Sequence, residues 1–384
     1  MAADTRVLVV GLNPALQRTL VLASALTVGG VHRATTVDTR AGGKGQGVAS
    51  AIAALEPESP PVCVQLLGRD PSRAGERVEE ALREAGVEVL TGWYEGVTRT
   101  CVTVASDPGL TTELIEPSAP VPQLAVDELF ERTARALPSH AAVVLAGTAP
   151  PGAESFYPRL LGHLIAASSS RAREAPLVVL DCARGVGALL ATGCIDVLKI
   201  NKDELLTLAG VDAGTDEDFA VDAAARRILG KVAGSGVGGL GERRRNAHAR
   251  AGALPAYDGS DGGVLAVTDG AAPAVLFTMV ADGSLRKWRF AVPAVKAVNA
   301  IGAGDVCTGV FAFKLASAGW SARASAETGA VGLCDAFSWG LAAASARCTS
   351  LRPDELSVAH VFRLRTHVYA SAVSTPPDPP EQRP

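Results

Sequence analysis

Residues 298–318 read Val-Asn-Ala-Ile-Gly-Ala-Gly-Asp-Val-Cys-Thr-Gly-Val-Phe-Ala-Phe-Lys-Leu-Ala-Ser-Ala, a glycine-rich turn followed by an apolar run with helical spacing. A Gly-Ala-Gly turn that opens a helix directs consecutive backbone N–H groups, and the positive end of the helix dipole, at one point. Such a point binds an anion or stabilises negative charge that develops during a reaction. Beside a phosphate, the Asp305 carboxylate could take the proton of an attacking hydroxyl group. The stretch therefore indicates phosphoryl transfer, with an ordinary glycine turn and an acidic first helical turn as the alternative.

Outward from this turn, the chain alternates short apolar runs that end in Gly, Asp or Asn with longer segments of helical spacing. The alternation predicts an α/β fold with a mainly parallel central sheet covered by helices on both faces. Ligands in such folds gather at the carboxyl ends of the strands. The predicted strands are Val7–Val10, Val62–Leu67, Val143–Leu145, Leu177–Leu180, Val197–Ile200 and Val264–Thr268. The predicted helices include Val48–Leu55, Glu76–Ala85, Leu124–Ala136, Ala220–Leu229 and Val306–Ala318.

We expect residues 1–370 to form a single domain, which includes three segments that depart from this alternation. Residues 11–40 and 87–117 contain strand-like patches joined by turns, which predicts a small β-strand lid that would keep competing water from the reaction. Residues 232–263 are glycine-rich without apolar periodicity, which predicts a flexible insertion. The tail at 371–384 is expected to be disordered.

The composition excludes several classes of function. Of 384 residues, 48% are hydrophobic and 20% charged, so a sizeable core can form and global disorder is not expected. The net charge of −4 offers no basic surplus for a nucleic-acid partner, and any anionic ligand must be held by a local cluster. The first strand begins at Val7, which leaves no room for a cleavable leader, and no apolar run is long enough to span a membrane. We therefore expect a cytoplasmic protein without a membrane partner.

The metal-binding residue types show no site pattern. Seven cysteines are scattered without a CxxC pair, which favours buried small hydrophobic side chains in a reducing compartment. The six histidines form no HExxH motif or His/Cys cluster, so we do not expect a transition-metal enzyme.

A second glycine cluster, Ala41-Gly-Gly-Lys-Gly-Gln-Gly-Val48, precedes another predicted helix. It lets the backbone pass close to a ligand, and Lys44 can meet a phosphate or another polar substrate group. The spacing is not that of a Walker A loop, and a flexible turn is the alternative. Two glycine-rich helix starts, one near each end of the chain, favour two ligands that meet between them.

With these motifs the chain resembles the pfkB/ribokinase-like carbohydrate kinases, and most closely the sugar-phosphate branch that includes 1-phosphofructokinases and tagatose-6-phosphate kinases. Each motif is weak alone, but eight of them follow one another in the family's order from about residue 7 to 350. They are Leu12-Asn-Pro-Ala-Leu16, Gly30-Val-His-Arg33, Ala41-Gly-Gly-Lys-Gly45, Thr98-Arg-Thr100, Thr112-Glu-Leu114, Gly147-Thr-Ala-Pro-Pro-Gly152, Leu198-Lys-Ile-Asn-Lys-Asp-Glu-Leu205 and Ile301-Gly-Ala-Gly-Asp305.

The resemblance implies a ribokinase-like three-layer αβα sandwich with a small β-strand lid, MgATP as phosphoryl donor and a sugar or sugar-phosphate hydroxyl as acceptor. Asp305 matches the family's catalytic base, and the amides of Gly302, Ala303 and Gly304 match its anion hole. On the donor side, Lys199, Asn201, Thr268 and Gly270 match nucleotide-binding positions, and Glu204 matches a carboxylate that helps to hold Mg²⁺. Asn201 and Glu204 are also what a helix capping box requires, and both roles can hold together.

On the acceptor side, the resemblance implies a substrate site with residues from the second glycine cluster and from both lid segments. Arg99 matches an arginine that binds the phosphate already on the substrate, and Arg33 is a candidate second contact from the other lid segment. A surface arginine on a β flap is the alternative for Arg99. The substrate-binding positions are Gln17, Arg33, Gly42, Gly43, Lys44, Gly47 and Arg99.

Four family positions are changed, mostly on the acceptor side. Gln17 stands where the family has an aspartate that binds sugar hydroxyls, and Gly47 replaces an asparagine. Ala300 replaces a threonine before the Gly-Ala-Gly turn, and Pro273 replaces a glycine of the nucleotide loop. A site built to hydrogen-bond a given hydroxyl discriminates strongly, so these changes leave the substrate open.

The resemblance therefore predicts an ATP-dependent kinase of a sugar or sugar phosphate, with fructose 1-phosphate, fructose 6-phosphate or tagatose 6-phosphate favoured. A non-catalytic pfkB-like regulatory or binding protein, and a kinase of an unphosphorylated sugar or nucleoside, are the alternatives. A homodimer through the lid strands is a family-level expectation.

Overall fold

The central sheet is built from β-branched apolar runs that lie between helices in the sequence. The computed structural model describes residues 5–107, 110–168, 176–182, 184–212, 214, 216–229, 263–279, 284–318, 326–350 and 356–373. The predicted flexible insertion, except for its last residue, and the predicted tail beyond residue 373 lie outside these residues.

Ten described strands form one sheet. They are β1 (Val7–Val10), β4 (Val62–Arg69), β5 (Glu88–Glu95), β8 (Ala142–Ala146), β9 (Leu177–Asp181), β10 (Val197–Asn201), β11 (Val264–Asp269), β12 (Ala272–Met279), β13 (Leu285–Phe290) and β14 (Ala370–Val373). Their order across the sheet is β14-β13-β12-β11-β10-β9-β8-β1-β4-β5. The strands from β11 to β5 pair in parallel, and β12, β13 and β14 extend one edge by antiparallel pairing. All six strands predicted from the sequence lie side by side within the parallel part.

Helices cover both faces of this sheet and bury two separate cores. On one face lie α3 (Gln123–Ala136), α4 (Phe156–Ser168), α5 (Val186–Leu190), α6 (Lys202–Ala209) and α7 (Glu217–Leu229), with a 3₁₀ turn at Leu137–Ser139. On the other lie α1 (Lys44–Leu55), α2 (Ala74–Glu84), α8 (Ala303–Ser317), α9 (Ala326–Cys348) and α10 (Val358–Arg365). Because the parallel strands are covered on both faces, runs such as Val7–Val10 are apolar throughout rather than alternating. The predicted three-layer αβα fold with a mainly parallel sheet is confirmed.

The lid is a second sheet of four described strands, β2 (Ala15–Leu22), β3 (Ala34–Gly42), β6 (Thr100–Asp107) and β7 (Leu110–Ile115). Its order is β3-β2-β6-β7, with β2 and β6 parallel and the other pairs antiparallel. β3 ends at Gly42 and α1 begins at Lys44 after the N-cap Gly43, so the lid leads into α1 through the second glycine cluster.

Two boundaries differ from the sequence prediction. Residues 88–95, included in the predicted lid segment 87–117, form β5 at the edge of the main sheet instead. The reason is that α2 provides a crossover that returns the chain parallel to β4, and α3 then packs on β5. At the other end, residues 371–373 of the predicted disordered tail belong to β14, because β13 offers an unpaired edge to them.

Among the described helices, none has the length and apolar character needed to cross a bilayer.

Candidate active site

The Gly-Ala-Gly-Asp turn forms the start of α8, as its sequence indicates. Gly302 caps the helix with φ 81°, a left-handed conformation that favours glycine. The Ala303 amide donates to the Ala300 carbonyl, whereas the amides of Gly304 and Asp305 belong to a first helical turn, which has no intrahelical acceptor. These amides and the helix dipole thus make a position for an anion.

The end of α9 holds this turn from behind. The amides of Val298 and Asn299 both donate to the Cys348 carbonyl, at 2.7 and 3.1 Å. The Asn299 side chain is buried, and its Oδ1 accepts from the Ile301 amide at 2.9 Å. The turn is therefore fixed before any ligand arrives, which is what electrostatic stabilisation of a transition state requires.

Asp305 lies half-buried beside a second carboxylate. Burial raises the pKa of Asp305 to about 7, and the nearby Asp181 carboxylate adds to the rise. Three positive charges lower the pKa of Asp305 and limit this rise, those of Lys44, Lys199 and Arg347. A carboxylate with a pKa near neutrality is well matched to taking a proton from a hydroxyl group at physiological pH.

Asp181 is the fully buried centre of a set of charged and polar groups that we call the transfer cluster: Asp181, Asp305, Lys44, Lys199 and Thr308. Its Oδ1 accepts from Lys44 Nζ at 2.8 Å, and its Oδ2 accepts from Thr308 Oγ1 at 2.5 Å. Lys199 Nζ lies 3.8 Å from Oδ2. Burial alone would raise the pKa of Asp181, but Lys199 and Lys44 outweigh it and hold that pKa below its ordinary value. Asp181 is therefore the ionised member of the carboxylate pair.

The two lysines bring positive charge to the same place. Burial lowers the pKa of Lys44, but the Asp181 and Asp305 carboxylates more than offset this, so its pKa is raised and it stays charged. Lys199 is almost fully buried, and its Nζ lies 3.0 Å from where a Cβ on Gly304 would be. Lys199 thus reaches the first turn of α8, where it can face the same anion as the backbone amides.

Sequence reasoning did not single out Asp181. A weak signal was present, because the predicted strand Leu177–Leu180 is followed by this aspartate, and ligands gather at the carboxyl ends of parallel strands.

At Gly47, α1 lies close to the Asp305 side chain of α8. A Cβ on Gly47 would lie 2.9 Å from Asp305 Oδ2 and 3.1 Å from Asp305 Cβ. Any side chain at this position would force the carboxylate to shift. The glycine that replaces the family's asparagine therefore leaves space that Asp305 itself fills.

The remaining glycines of the second cluster lie between the lid and α1. Gly42 ends β3 against Gln17, and Gly43 is the N-cap of α1.

The predicted nucleotide positions lie together at the carboxyl ends of β10 and β11. Asn201 and Glu204 form a complete capping box: Asn201 Oδ1 accepts from the Glu204 amide at 2.8 Å, and Glu204 Oε2 accepts from the Asn201 amide at 3.0 Å. Thr268 is paired with Asn201 across the sheet, and Gly270 follows in the turn after β11. The capping role is thus present, and the negative charge of Glu204 also contributes to the raised pKa of Lys44.

Next to the start of α1 is an open cleft of about 190 Å³, which we call the cationic cleft. Lys44 and Arg99 line it, and Asp305 does not. Arg99 is held against its wall by donating Nη2 to the Asn13 carbonyl at 3.0 Å and Nε to the Pro14 carbonyl at 3.3 Å. The full lining is Gly11, Asn13, Lys44, Gly45, Gln46, Arg99, Ala146, Gly147, Thr148 and Arg184.

Of the predicted acceptor residues, only Lys44 and Arg99 line the cationic cleft. Gln17 is buried inside the lid, where its Nε2 donates to Thr103 Oγ1 at 2.9 Å. Arg33 is exposed in the segment between β2 and β3 and does not line the cationic cleft. Arg184, which the sequence patterns did not single out, also lines the cleft.

Among the described residues, no group of three or more histidine, cysteine, aspartate or glutamate side chains is arranged to bind a metal ion. Glu204 is a single carboxylate, which fits the way Mg²⁺ takes one or two protein ligands and completes its shell with water and phosphate oxygens.

Structural comparison gives the same architecture. Phosphofructokinase-2 from Escherichia coli, solved with substrates and products, has a TM-score of 0.65 at 21% identity, covering 94% of this chain and 99% of that one. Ribokinase from Giardia lamblia has a TM-score of 0.68 at 16% identity, covering 93% and 99%. At these identities the likeness shows the fold alone. No curated protein sequence is similar enough to count as a match.

The family model of pfkB carbohydrate kinases matches residues 5–232, more than half of the chain. The match includes the second glycine cluster, Asp181 and the capping box, and ends before the Gly302–Asp305 turn. The transfer cluster combines residues inside the matched range, Lys44, Asp181 and Lys199, with residues after it, Asp305 and Thr308. Members of this family are phosphotransferases whose acceptor is an alcohol group, and this chain belongs to the pfkB family of carbohydrate kinases.

Proposed function

We propose that this kinase transfers the γ-phosphoryl group of MgATP to a hydroxyl group of a sugar phosphate, with a hexose phosphate as the favoured acceptor and Asp305 as general base. The observation that carries this proposal is the position of Asp305, whose pKa is raised to about 7, in the first turn of α8 beside unpaired backbone amides.

The proposed reaction is a direct displacement at phosphorus. The acceptor hydroxyl gives its proton to the Asp305 carboxylate, its oxygen forms a bond to the γ-phosphorus, and the bond to the bridging oxygen of ADP breaks. The amides of Gly302 and Gly304 face the negative charge on the transferring group, whereas the Ala303 amide, predicted to share this role, already donates to the Ala300 carbonyl. Lys199 adds positive charge from the other side of the turn.

Asp181 orients the charged groups without meeting the substrate. Its two oxygens are taken by Lys44 and Thr308, and Thr308 lies one helical turn after Gly304, whose carbonyl it also contacts. Asp181 thereby ties α1 and α8 together around Asp305. It also keeps Asp305 basic enough to accept a proton, because the two carboxylates repel.

Mg²⁺ would be held by Glu204, whose capping bond uses only Oε2. When bound, Mg²⁺ neutralises charge on the nucleotide phosphates. The nucleotide itself would lie along Asn201, Thr268 and Gly270 at the ends of β10 and β11.

A phosphorylated acceptor is favoured because Arg99 lines the cationic cleft with its guanidinium held by neutral carbonyls rather than by a carboxylate. Its positive charge is thus uncompensated by these contacts and suits a phosphate.

The experiment is a coupled assay of ADP release with MgATP and a panel of fructose 1-phosphate, fructose 6-phosphate, tagatose 6-phosphate, fructose and tagatose. Acceptor-dependent ADP release that is fastest with a phosphorylated sugar supports the proposal. Calorimetric binding of MgATP and sugars without turnover would instead indicate a regulatory binding protein, and turnover of unphosphorylated sugars alone would indicate a different kinase.

The lid is the proposed surface for a homodimer. β7 is exposed along its whole length and carries the apolar residues Leu110, Leu114 and Ile115, each about 60% exposed. Apolar strands exposed in this way favour pairing with another sheet. A related structure is described as the tetrameric inhibited form of E. coli phosphofructokinase-2. Light scattering should give a dimer for the wild type and a monomer for Leu114→Lys, and a monomeric wild type would contradict the assignment.

A further inference from the structure

The cationic cleft is positively charged, whereas the chain as a whole is acidic. Three of its ten lining residues, Lys44, Arg99 and Arg184, are cationic, and none is acidic. The whole chain carries a net charge of −4. A cleft with three cations and no carboxylate in an acidic protein selects for an anionic ligand.

The three cations are not equivalent. Lys44 is neutralised by Asp181 at 2.8 Å, so its charge serves the transfer cluster. Arg99 donates only to backbone carbonyls, and no hydrogen bond joins its Nη1 to a described residue. Arg184 is exposed and forms no ion pair with any residue of the described chain. Two guanidinium groups therefore face the cleft with their charge available.

The backbone holds Arg184 at this position. It follows β9 by three residues, and its carbonyl accepts from Cys182 Sγ at 3.0 Å. The next residue, Gly185, has φ 70° and is the N-cap of α5, so the chain turns directly after Arg184. Arg184 is thus carried by the same strand end that carries Asp181.

We propose that Arg184 is a specificity-determining residue that binds, together with Arg99, the phosphate group which the acceptor already carries. This inference rests on the proposed kinase function and adds to it the second arginine of the acceptor site. The cleft lining also includes the neutral polar side chains of Asn13 and Thr148, and Asn13 Nδ2 donates to Thr148 Oγ1 at 3.4 Å. The Gly302–Asp305 turn does not line the cleft, so the donor phosphate and the acceptor phosphate have separate positions.

A phosphate monoester explains this pair better than a neutral sugar does. It carries a charge of about −1.5 to −2 and three acceptor oxygens, which two guanidinium forks can share. A neutral sugar would leave both cations without a partner. Discrimination between the two acceptors should therefore depend on Arg184, and should weaken as salt screens an exposed charge.

The test compares Arg184→Ala and Arg184→Lys with a matched control, Arg363→Ala, which removes an exposed arginine of α10 that does not line the cleft. With the best phosphorylated sugar, Arg184→Ala should raise KM roughly 10- to 100-fold, the size expected for charge-assisted hydrogen bonds. KM for MgATP and turnover of unphosphorylated sugars should stay at the level of Arg363→Ala. Arg184→Lys should lie between, because it keeps the charge and loses the planar fork.

Calorimetric titration of fructose 6-phosphate and of fructose into the same variants separates this inference from the proposed function. Weaker binding of fructose 6-phosphate to Arg184→Ala, without a change for fructose, supports the role of Arg184 even if no acceptor is turned over. If the wild type is active but Arg184→Ala equals Arg363→Ala in KM and affinity, Arg184 is not part of the site and the kinase assignment stands. An equal loss for phosphorylated and unphosphorylated sugars, or a loss confined to MgATP, would also overturn the inference.

Discussion

Around Asp305 the charged groups are buried and bonded to one another, whereas around Arg99 and Arg184 they face an open cleft. In the transfer cluster each oxygen of Asp181 has a partner at 2.8 Å or less, and Asp305 of α8 lies against Gly47 of α1. The cationic cleft has a neutral wall and two arginines that lack a carboxylate partner. Under the proposed function, chemistry and recognition are therefore separated: bonds within the protein organise the transfer cluster, and the acceptor completes the cationic cleft. The following predictions test this separation.

The largest effect is expected for Asp305→Asn. Asparagine keeps the shape of the side chain but cannot take the acceptor proton, so kcat should fall by about 10²–10⁴. Binding of MgATP, measured by calorimetry, should change little, because the amides of the turn remain in place. An unchanged kcat would break the assignment of Asp305 as base.

Gly47→Ala should have the next largest effect, although it adds a single methyl group. Its Cβ would lie 2.9 Å from Asp305 Oδ2, so the carboxylate must move out of line with the acceptor. A displacement of this kind costs about 10²-fold in rate. Gly162→Ala is the matched control, because a Cβ there meets nothing within 4 Å. Equal activity of both variants would show that the position of Asp305 is not restricted by α1.

Asp181→Asn should shift the pH dependence of kcat. The Asp181 carboxylate raises the pKa of Asp305, so its neutralisation should lower that pKa and move the acid limb of the profile to lower pH. Lys44→Met should move the same limb to higher pH, because Lys44 lowers the pKa of Asp305. Shifts in the same direction, or none, would contradict the proposed coupling.

Variants of the capping box should have the smallest effects and separate its two roles. Asn201→Ala removes the acceptor of the Glu204 amide and should cost about 1 kcal/mol of unfolding free energy, read as a lower Tm. Glu204→Gln keeps a capping side chain, so its Tm should stay near that of the wild type while its requirement for Mg²⁺ increases. An unchanged Mg²⁺ dependence in Glu204→Gln would leave Glu204 with the structural role alone.

The parallel core and the start of α8 could be predicted from the sequence for a physical reason. Strands buried on both faces are apolar throughout, so Val7–Val10 and Val197–Ile200 stand out against their polar flanks. The Gly302–Asp305 turn combines a residue with positive φ and a following apolar helix, which is a local pattern.

The features that the sequence did not predict depend on contacts between distant segments of the chain. Asp181 and Asp269 both end parallel strands, but the first is buried beside Lys44 while the second pairs with Lys202 at 2.7 Å near the surface. Nothing local distinguishes them. Arg184 is a single exposed residue without a pattern, and Gln17 turns towards Thr103 because of the pairing of β2 with β6. The assignment of residues 88–95 to the lid was wrong for the same reason: its partner strand lies about 25 residues earlier.

The central claim, that Asp305 accepts the acceptor proton with a pKa of about 7, is tested most directly by the pH profile of wild-type kcat with a saturating acceptor. The base must be ionised, so kcat should be constant above about pH 8 and fall about tenfold per pH unit below about pH 6. Asp305→Asn should lose this ionisation. A wild-type profile that is flat across this range, or an ionisation near pH 7 that persists in Asp305→Asn, would contradict the account.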